Sequence, residues 1–356
     1  MFAFSDDHNI KSIIFSNDSQ LKIIGEYAFA NSSLTKIIIP PSVAKIGEYI
    51  FNLCKNLTDV EFLPNSRIRV FPKNSFYFTS ISKIIVPQSI TEICDFAFAH
   101  CNKLVTIEFH PDSQLKTIGA YAFSDCSINR ISIPSNVELI DNFAFSQCND
   151  LEIVEFPINS KLKKINIYTF FCCFLKTIKI PSKVKSIENF AFSLCKSLKT
   201  VDFHSNSELQ SIEPDSFAGL NLEKMTIPSQ VVEIKSSSFA LCRKLKEITI
   251  PSNSLLQKIG YNAFSETSLN RIAIPYNIKL IDSDAFLKCR HLQSVELLGD
   301  EIELCHLSFC HCVSLCLFSC PNAKKIQVNK KSFFNVSKEF SFYTLPHSFY
   351  THFNII

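Results

Sequence analysis

One spacing governs this chain. A phenylalanine returns at Phe4, Phe29, Phe51, Phe76, Phe98, Phe123, Phe145, Phe170, Phe192, Phe217, Phe239, Phe264 and Phe286, in steps that alternate strictly between 25 and 22. One further step of 23 reaches Phe309. A proline keeps the same 47-residue clock at Pro40, Pro87, Pro134, Pro181, Pro228 and Pro275. An isoleucine keeps it at Ile46, Ile93, Ile140, Ile187, Ile234 and Ile281, and a serine at Ser19, Ser66, Ser113, Ser160, Ser207 and Ser254. So many columns in phase imply tandem duplication of a unit made of two unequal coils. A length of 356 residues would otherwise suggest two or more domains. Coils that bury one another's apolar columns let a single core grow with chain length instead.

Each coil contains a short apolar run of the form L-x-x-I-x-I. One series starts at Leu57, Leu104, Leu151, Leu198, Leu245 and Leu292, the other at Leu34, Ile81, Ile128, Leu175, Leu222 and Leu269. Alternation with β-branched residues predicts a strand. In the second series the recurring proline closes it, because proline cannot donate to a ladder. A V-x-x-I element follows, as in Val184 to Ile187, and predicts a second, shorter strand. The Ala-Phe segment comes next and is expected to form one turn of 3₁₀- or α-helix. A coil of 22 or 25 residues is too short for a crossover with a long helix.

The combined pattern, I-x-x-x-A-F-x-x-C-x-x-L-x-x-I-x-I-P-x-S-V, is clear from Phe98 to Val137 and from Phe192 to Val231. It resembles the BspA-like class of leucine-rich repeats. The resemblance implies a right-handed leucine-rich repeat solenoid of alternating 22- and 25-residue coils, with a parallel β-sheet on the concave face and short strands and 3₁₀ or α turns elsewhere. It covers residues 1–320. Residues 321–356 are expected to hold a degenerate last repeat and a C-terminal cap around Phe340 to Pro346. By resemblance the protein is a non-enzymatic module of surface-antigen or adhesin type that binds another protein. An intracellular scaffold of the same architecture, with no surface role, is the alternative.

Several function classes are disfavoured by composition. Thirty-six basic residues against 33 acidic ones give a net charge of +3, which argues against nucleic acid as partner. Six scattered glycines cannot build a phosphate-binding loop, and no H-E-x-x-H, G-x-S-x-G or C-x-x-C motif occurs. No cofactor is expected. The first residues have neither a basic start nor an apolar stretch, and no run of about 18 apolar residues exists, so neither a secretory signal nor a membrane span is read. The first coil begins mid-repeat, without a polar cap, which leaves three readings open: a truncated gene, a fragment, or self-association through that end.

Fifteen cysteines are present. Nine lie three residues after a marker phenylalanine, at Cys54, Cys101, Cys126, Cys148, Cys173, Cys195, Cys242, Cys289 and Cys312, where Ser32, Thr79, Leu220 and Thr267 stand in other coils. A column that accepts Cys, Ser or Thr reads as a small buried position with a weak donor, and a column of reduced thiols leans toward a cytoplasmic setting. The family resemblance points instead to the cell surface. Near the C-terminus, Cys305-His306, Cys310-His311-Cys312, Cys316 and Cys320 have a spacing that could supply zinc; the favoured reading is core packing and no metal.

Two surface patterns are candidates for binding. On the main strands, Lys36, Lys83, Arg130, Thr177, Lys224 and Arg271 should interleave with Glu61, Glu108, Glu155, Asp202, Thr249 and Glu296, forming a largely self-neutralising face. Two residues before the marker phenylalanines stand Tyr27, Tyr49, Asn74, Phe96, Tyr121, Phe143, Tyr168 and Phe190; the column then turns polar at Asp215, Ser237, Asn262 and Asp284. Either the aromatic members form a half-buried ladder, or Tyr27, Tyr49, Phe96, Tyr121, Phe143, Tyr168 and Phe190 present a stripe to a partner.

Overall fold

The computed structural model of the chain describes residues 2–16, 18–329 and 331–344. Leu345 and Pro346 of the expected cap lie outside the described residues. The chain divides into two compact units, Met1–Leu175 and Lys176–Ile356. Each is a β-solenoid.

In the first unit the long strands include Lys36–Ile39, Asp59–Phe62, Lys83–Val86, Thr106–Phe109, Arg130–Ser132 and Ile153–Glu155, and they pair in parallel two by two in that order. The register sets like on like: Ile37 meets Val60, Ile84 meets Ile107, and Ile131 meets Val154. A second parallel ladder joins the two-residue strands, with Phe71 on Ile93, Ile93 on Ile118 and Ile118 on Ile140. The second unit repeats both ladders. Ile178 meets Val201, Met225 meets Ile248 and Ile272 meets Val295 on the long strands. Ile187, Ile212, Ile234, Ile259, Ile281 and Leu304 line up on the short ones. Parallel pairing continues through Lys325–Val328 and Ser341–Thr344, within the stretch expected to be degenerate.

The turns explain the recurring proline and serine. Each of Pro40, Pro87, Pro134, Pro181, Pro228 and Pro275 accepts an N–H from three residues on, closing a turn directly after the strand. In the longer coils the same corner carries the serine. Its hydroxyl accepts the N–H two residues later, as in Leu115 N to Ser113 Oγ at 3.3 Å and Leu256 N to Ser254 Oγ at 3.2 Å. That is a side-chain substitute for a backbone turn.

The Ala-Phe segment does not form the expected helical turn, and none of the described residues is helical. Its N–H groups alternate between two acceptors. In the first unit, Tyr27, Phe29 and Asn31 donate to the carbonyls of Glu48, Ile50 and Asn52 in the next coil, at 3.0, 3.0 and 2.7 Å. The intervening Ala30 and Ser32 donate back three residues, to Tyr27 and Phe29. The coil therefore has a third ladder. It binds each turn to its neighbour, which a helix, spending its donors internally, could not do. The geometry requires a left-handed residue on each side of the marker. One lies two positions before it, as at Tyr27 (φ 53°) and Asn262 (φ 58°), and one lies two positions after, as at Asn31 (φ 53°) and Asp125 (φ 56°).

The marker phenylalanines are the core of both units. Phe51, Phe98, Phe123, Phe145, Phe217, Phe239, Phe264 and Phe286 are all fully buried. Successive rings stack nearly parallel, with Phe98 to Phe123 at 5.2 Å and Phe239 to Phe264 also at 5.2 Å.

Candidate functional site

The aromatic column sits on the turn ladder. Tyr27, Tyr49, Phe96, Tyr121, Phe143, Tyr168 and Phe190 are all half-buried, with φ between 53° and 59°. A left-handed conformation costs a residue with a Cβ about 1–2 kcal/mol, and Asn and Asp tolerate it far better than Phe or Tyr. The stacks offset that cost. Ring centroids are 4.6 Å apart for Tyr27 and Tyr49, 4.7 Å for Phe96 and Tyr121, 4.5 Å for Tyr121 and Phe143, and 4.6 Å for Phe143 and Tyr168. The planes lie within 13° of parallel. Each such pair contributes about 0.5–1.5 kcal/mol beyond burial.

The structure thus brings six of the seven candidates into two runs in the first unit, broken at Asn74; Phe190 belongs to the second unit. Sequence reasoning missed Phe2, which stacks on Tyr27 at 4.9 Å. Its signal was available: Phe2 precedes Phe4 by the same two positions. Phe2 and Phe4 are 53% and 40% exposed at this first coil. Around the column the field is acidic. Partial burial, together with Tyr49, Glu26 and Glu48, pushes the Tyr27 hydroxyl up. Burial, reinforced by Glu92, Asp95 and Glu48, pushes the Cys94 thiol up to about 12.

The long-strand faces of the two units differ in charge pairing. In the first, Lys83 Nζ meets Glu108 at 2.8 Å, and Arg130 forms a two-pronged pair with Glu155, which also accepts the Ser132 hydroxyl at 2.6 Å. In the second, Lys224, Glu247 and Arg271 are register neighbours. No ion pair among the described residues joins them to one another or to Asp202 or Glu296. Lys224 and Glu247 flank an open groove of about 650 Å³ that also takes in Asp202, His204 and Thr249.

The cysteine column is a ladder of S–H donors. Cys54, Cys101, Cys126, Cys148, Cys173, Cys242, Cys289 and Cys312 each place Sγ 2.8–3.1 Å from the carbonyl oxygen of a marker phenylalanine in the preceding coil. Where Thr replaces Cys, as at Thr79 and Thr267, its hydroxyl donates to the phenylalanine of its own coil and also meets the next coil's thiol, at 3.3 and 3.2 Å. The column position is therefore small, buried and a donor. Burial pushes Cys101 up to about 11 and Cys148 and Cys242 up to about 12.

The C-terminal cysteines and histidines are separately engaged. Cys312 belongs to the ladder, Cys316 Sγ lies 3.4 Å from the Gln293 carbonyl, and His311 contacts Asn335 at 2.8 Å. Among the described residues no group of three His, Cys, Asp or Glu side chains is placed to hold a metal ion. No helix there is long and apolar enough to cross a membrane.

Comparison with known proteins follows the geometry. The family model described as BspA type leucine rich repeat region matches residues 1–104, 69–199, 163–293 and 210–340. Among curated proteins none matches the sequence. Among solved structures, a leucine-rich repeat protein from Bacteroides ovatus ATCC 8483 is similar, with 22% identity and a TM-score of 0.53, over 94% of this chain and 92% of that one. The pneumococcal vaccine antigen PcpA is similar at 19% identity and a TM-score of 0.58, over 91% of this chain and 90% of that one. These likenesses show the solenoid fold.

Proposed function

This chain belongs to the BspA-type leucine-rich repeat family, and we propose that it works as a non-enzymatic protein-binding module at the cell surface, meeting its partner through the aromatic column of the first unit. The observation that carries the reading is a residue choice made against local preference. Past Phe190 the same left-handed position holds Asp215, Ser237, Asn262 and Asp284, so the turn itself does not need an aromatic residue. Yet seven of the eight coils from Tyr27 to Phe190 that could have kept the backbone-favoured residue carry Tyr or Phe, each left half-buried, and aromatic residues are over-represented where proteins meet. The surface setting draws on the similar PcpA, which is named as a vaccine antigen.

The test is capture of partners by the immobilised protein from fluids bathing the producing cells. Tyr121→Ala combined with Phe143→Ser should lower capture at least tenfold, while circular dichroism still reports the native sheet. Unchanged capture would remove the column from the binding role. Labelling of intact cells with a membrane-impermeant biotin reagent tests the location. Protection until lysis favours the internal scaffold, a reading the buried thiol ladder supports.

A further inference from the structure

One flank of the first unit carries an open groove beside the aromatic column, and we propose that it seats an extended segment of the protein partner in which a basic and an acidic residue stand two apart. The proposal rests on the binding role of the first unit and adds the chemistry of what that unit takes.

The groove has a volume of about 710 Å³ and runs from Ile23 to Cys94, three coils further on. Three inter-strand spacings make roughly 14–15 Å, the length of four or five extended residues. Its floor is small or apolar: Gly25, Gly47, Val70, Pro72 and Ile23, the last 59% exposed. The position four before the marker phenylalanine explains why it is open. Here that position holds Gly25, Gly47, Pro72 and Cys94, whereas the second unit carries Glu188, Glu213, Lys235 and Asp282, interrupted by Gly260. Those side chains cover their own ladder and pair across coils: Glu213 with Lys235 at 2.8 Å, and Lys258 with Glu233 at 3.2 Å and Asp282 at 3.8 Å. In the first unit Lys45 stands instead in register with Ile23, and the next short strand begins with Val70.

Charge changes along the groove. Glu26, Glu48 and Lys73 hold one position on successive coils, since the Tyr27 N–H bonds the Glu48 carbonyl and the Tyr49 N–H the Lys73 carbonyl, both at 3.0 Å. Glu26 lines the groove from the coil of Phe29, Glu48 and Lys45 from the coil of Phe51, and Arg69 and Lys73 from the coil of Phe76. All five are exposed, and none of them forms an ion pair among the described residues. The carboxylates of the following coil are engaged elsewhere, Glu92 by the Cys94 thiol and Asp95 by the Ala120 N–H at 2.9 Å.

The occupant follows from that gradient. In an extended chain, residues two apart point to the same side, about 6.6 Å from each other, and long side chains cover the rest of the roughly 9–10 Å between Glu26 and Lys73. A basic residue then meets Glu26 and Glu48, and an acidic one takes charge-assisted hydrogen bonds from Arg69 and Lys73. The backbone between them lies over the bare floor. A uniformly acidic or basic segment is repelled at one end.

The experiment titrates the full chain at low salt with acetyl-Ala-Lys-Val-Glu-Ala-amide and its Glu-Val-Glu and Lys-Val-Lys counterparts, read by the amide resonances of Gly25 and Gly47. The mixed peptide should bind saturably and at least threefold more tightly than either other. Arg69→Gln with Lys73→Gln should weaken it at least threefold, and Glu213→Gln, on the covered face of the second unit, should change nothing. Glu26→Gln with Glu48→Gln should reverse the preference, so that the Glu-Val-Glu peptide binds more tightly than the mixed one, a gain that misfolding cannot produce. No saturable binding, equal binding of the three peptides, a preference untouched by either double variant, or a loss in Glu213→Gln would each overturn the proposal. The peptides report on the groove alone, whereas partner capture by the Tyr121 and Phe143 variant reports on the column, so either reading can fail without the other.

Discussion

In the first unit the left-handed position before the marker phenylalanine carries Tyr27, Tyr49, Phe96, Tyr121, Phe143 and Tyr168; past Phe190 in the second it carries Asp215, Ser237, Asn262 and Asp284. The backbone there is the same, with φ of 53–59° in both. The core columns are the same as well: marker phenylalanines, strand isoleucines and buried thiols run through both units. The interior is thus dictated by the coil, which accepts one kind of residue per column, and the exposed turn column is where the two units are free to diverge. That divergence locates the functional reading on the surface of the first unit.

The comparison is first tested where the units should not differ. Phe123→Ala and Phe239→Ala each delete a fully buried ring stacked on both sides. Each should cost about 3–5 kcal/mol in urea unfolding. A gap between the two costs larger than about 1 kcal/mol, well outside the usual scatter for independent sites, would break the claim that the cores are equivalent.

The thiol ladder sharpens it next. Cys101, Cys126, Cys148 and Cys173 occupy consecutive coils of the first unit, whereas Cys242 in the second is flanked by Leu220 and Thr267. The folded pKa values of about 11 for Cys101 and about 12 for Cys148 and Cys242 lie above the ordinary thiol value near 8.5. Below about pH 8.5 both folded and unfolded thiols stay protonated, and nothing changes. Above it the unfolded chain loses protons that the folded one keeps, so stability falls as pH rises, by about 1.4 kcal/mol per pH unit for each thiol until its folded value is reached. Unfolding midpoints between pH 8 and 11 should drop, and Cys101→Ser with Cys148→Ser should flatten the fall more than Cys242→Ser does.

Much of this architecture was legible in the sequence, because a column constrained by packing repeats its residue type. The strands, the closing proline and the buried Cys, Ser and Thr position all announced themselves by period. The turn did not. Ala-Phe flanked by Tyr, Phe or Leu has no local signature of two left-handed residues, and only the coils with Asn or Asp there, such as Asn31, Asp125, Asp215 and Asn262, hint at them. What decides the conformation is a hydrogen bond to the carbonyl of the next coil, a partner some 21 residues away. Spacing also picked out the aromatic column, but not that its rings stack face to face, since stacking depends on where the turn aims each Cβ. Asn74 was visible as the exception in that column.

A reciprocal exchange tests the column itself. Phe143→Asn removes two ring contacts, to Tyr121 and Tyr168, and relieves a left-handed aromatic residue. Two stacks of about 0.5–1.5 kcal/mol each and the lost burial outweigh about 1 kcal/mol of relief, so a net loss of about 1–2 kcal/mol is expected. Asn262→Phe incurs the left-handed cost between Ser237 and Asp284, which offer no ring, and gives up the contact of Asn262 with Ser237. It should destabilise by about 1 kcal/mol. If it stabilised instead, aromatic residues would suit this turn anywhere, and their confinement to one part of the chain would lose its functional meaning.

The smallest expected effect concerns the long-strand faces. Glu108 pairs with Lys83 at 2.8 Å with half of each side chain in water, whereas Glu296 has no ion-pair partner among the described residues. An exposed pair of this kind contributes about 0.2–1 kcal/mol and is screened by salt. Glu108→Gln should therefore lower stability by at most about 0.5 kcal/mol at low salt, an effect that vanishes near 1 M salt, while Glu296→Gln should leave stability unchanged at both. The contrast matters more than its size. Charges already satisfied within the first unit cost a partner extra to desolvate, whereas Lys224 and Glu247, with no ion-pair partner among the described residues, stand over an open groove in the second. Equal and salt-insensitive responses from both variants would show that the two faces are electrostatically alike, leaving the turn column as the only surface on which the units differ.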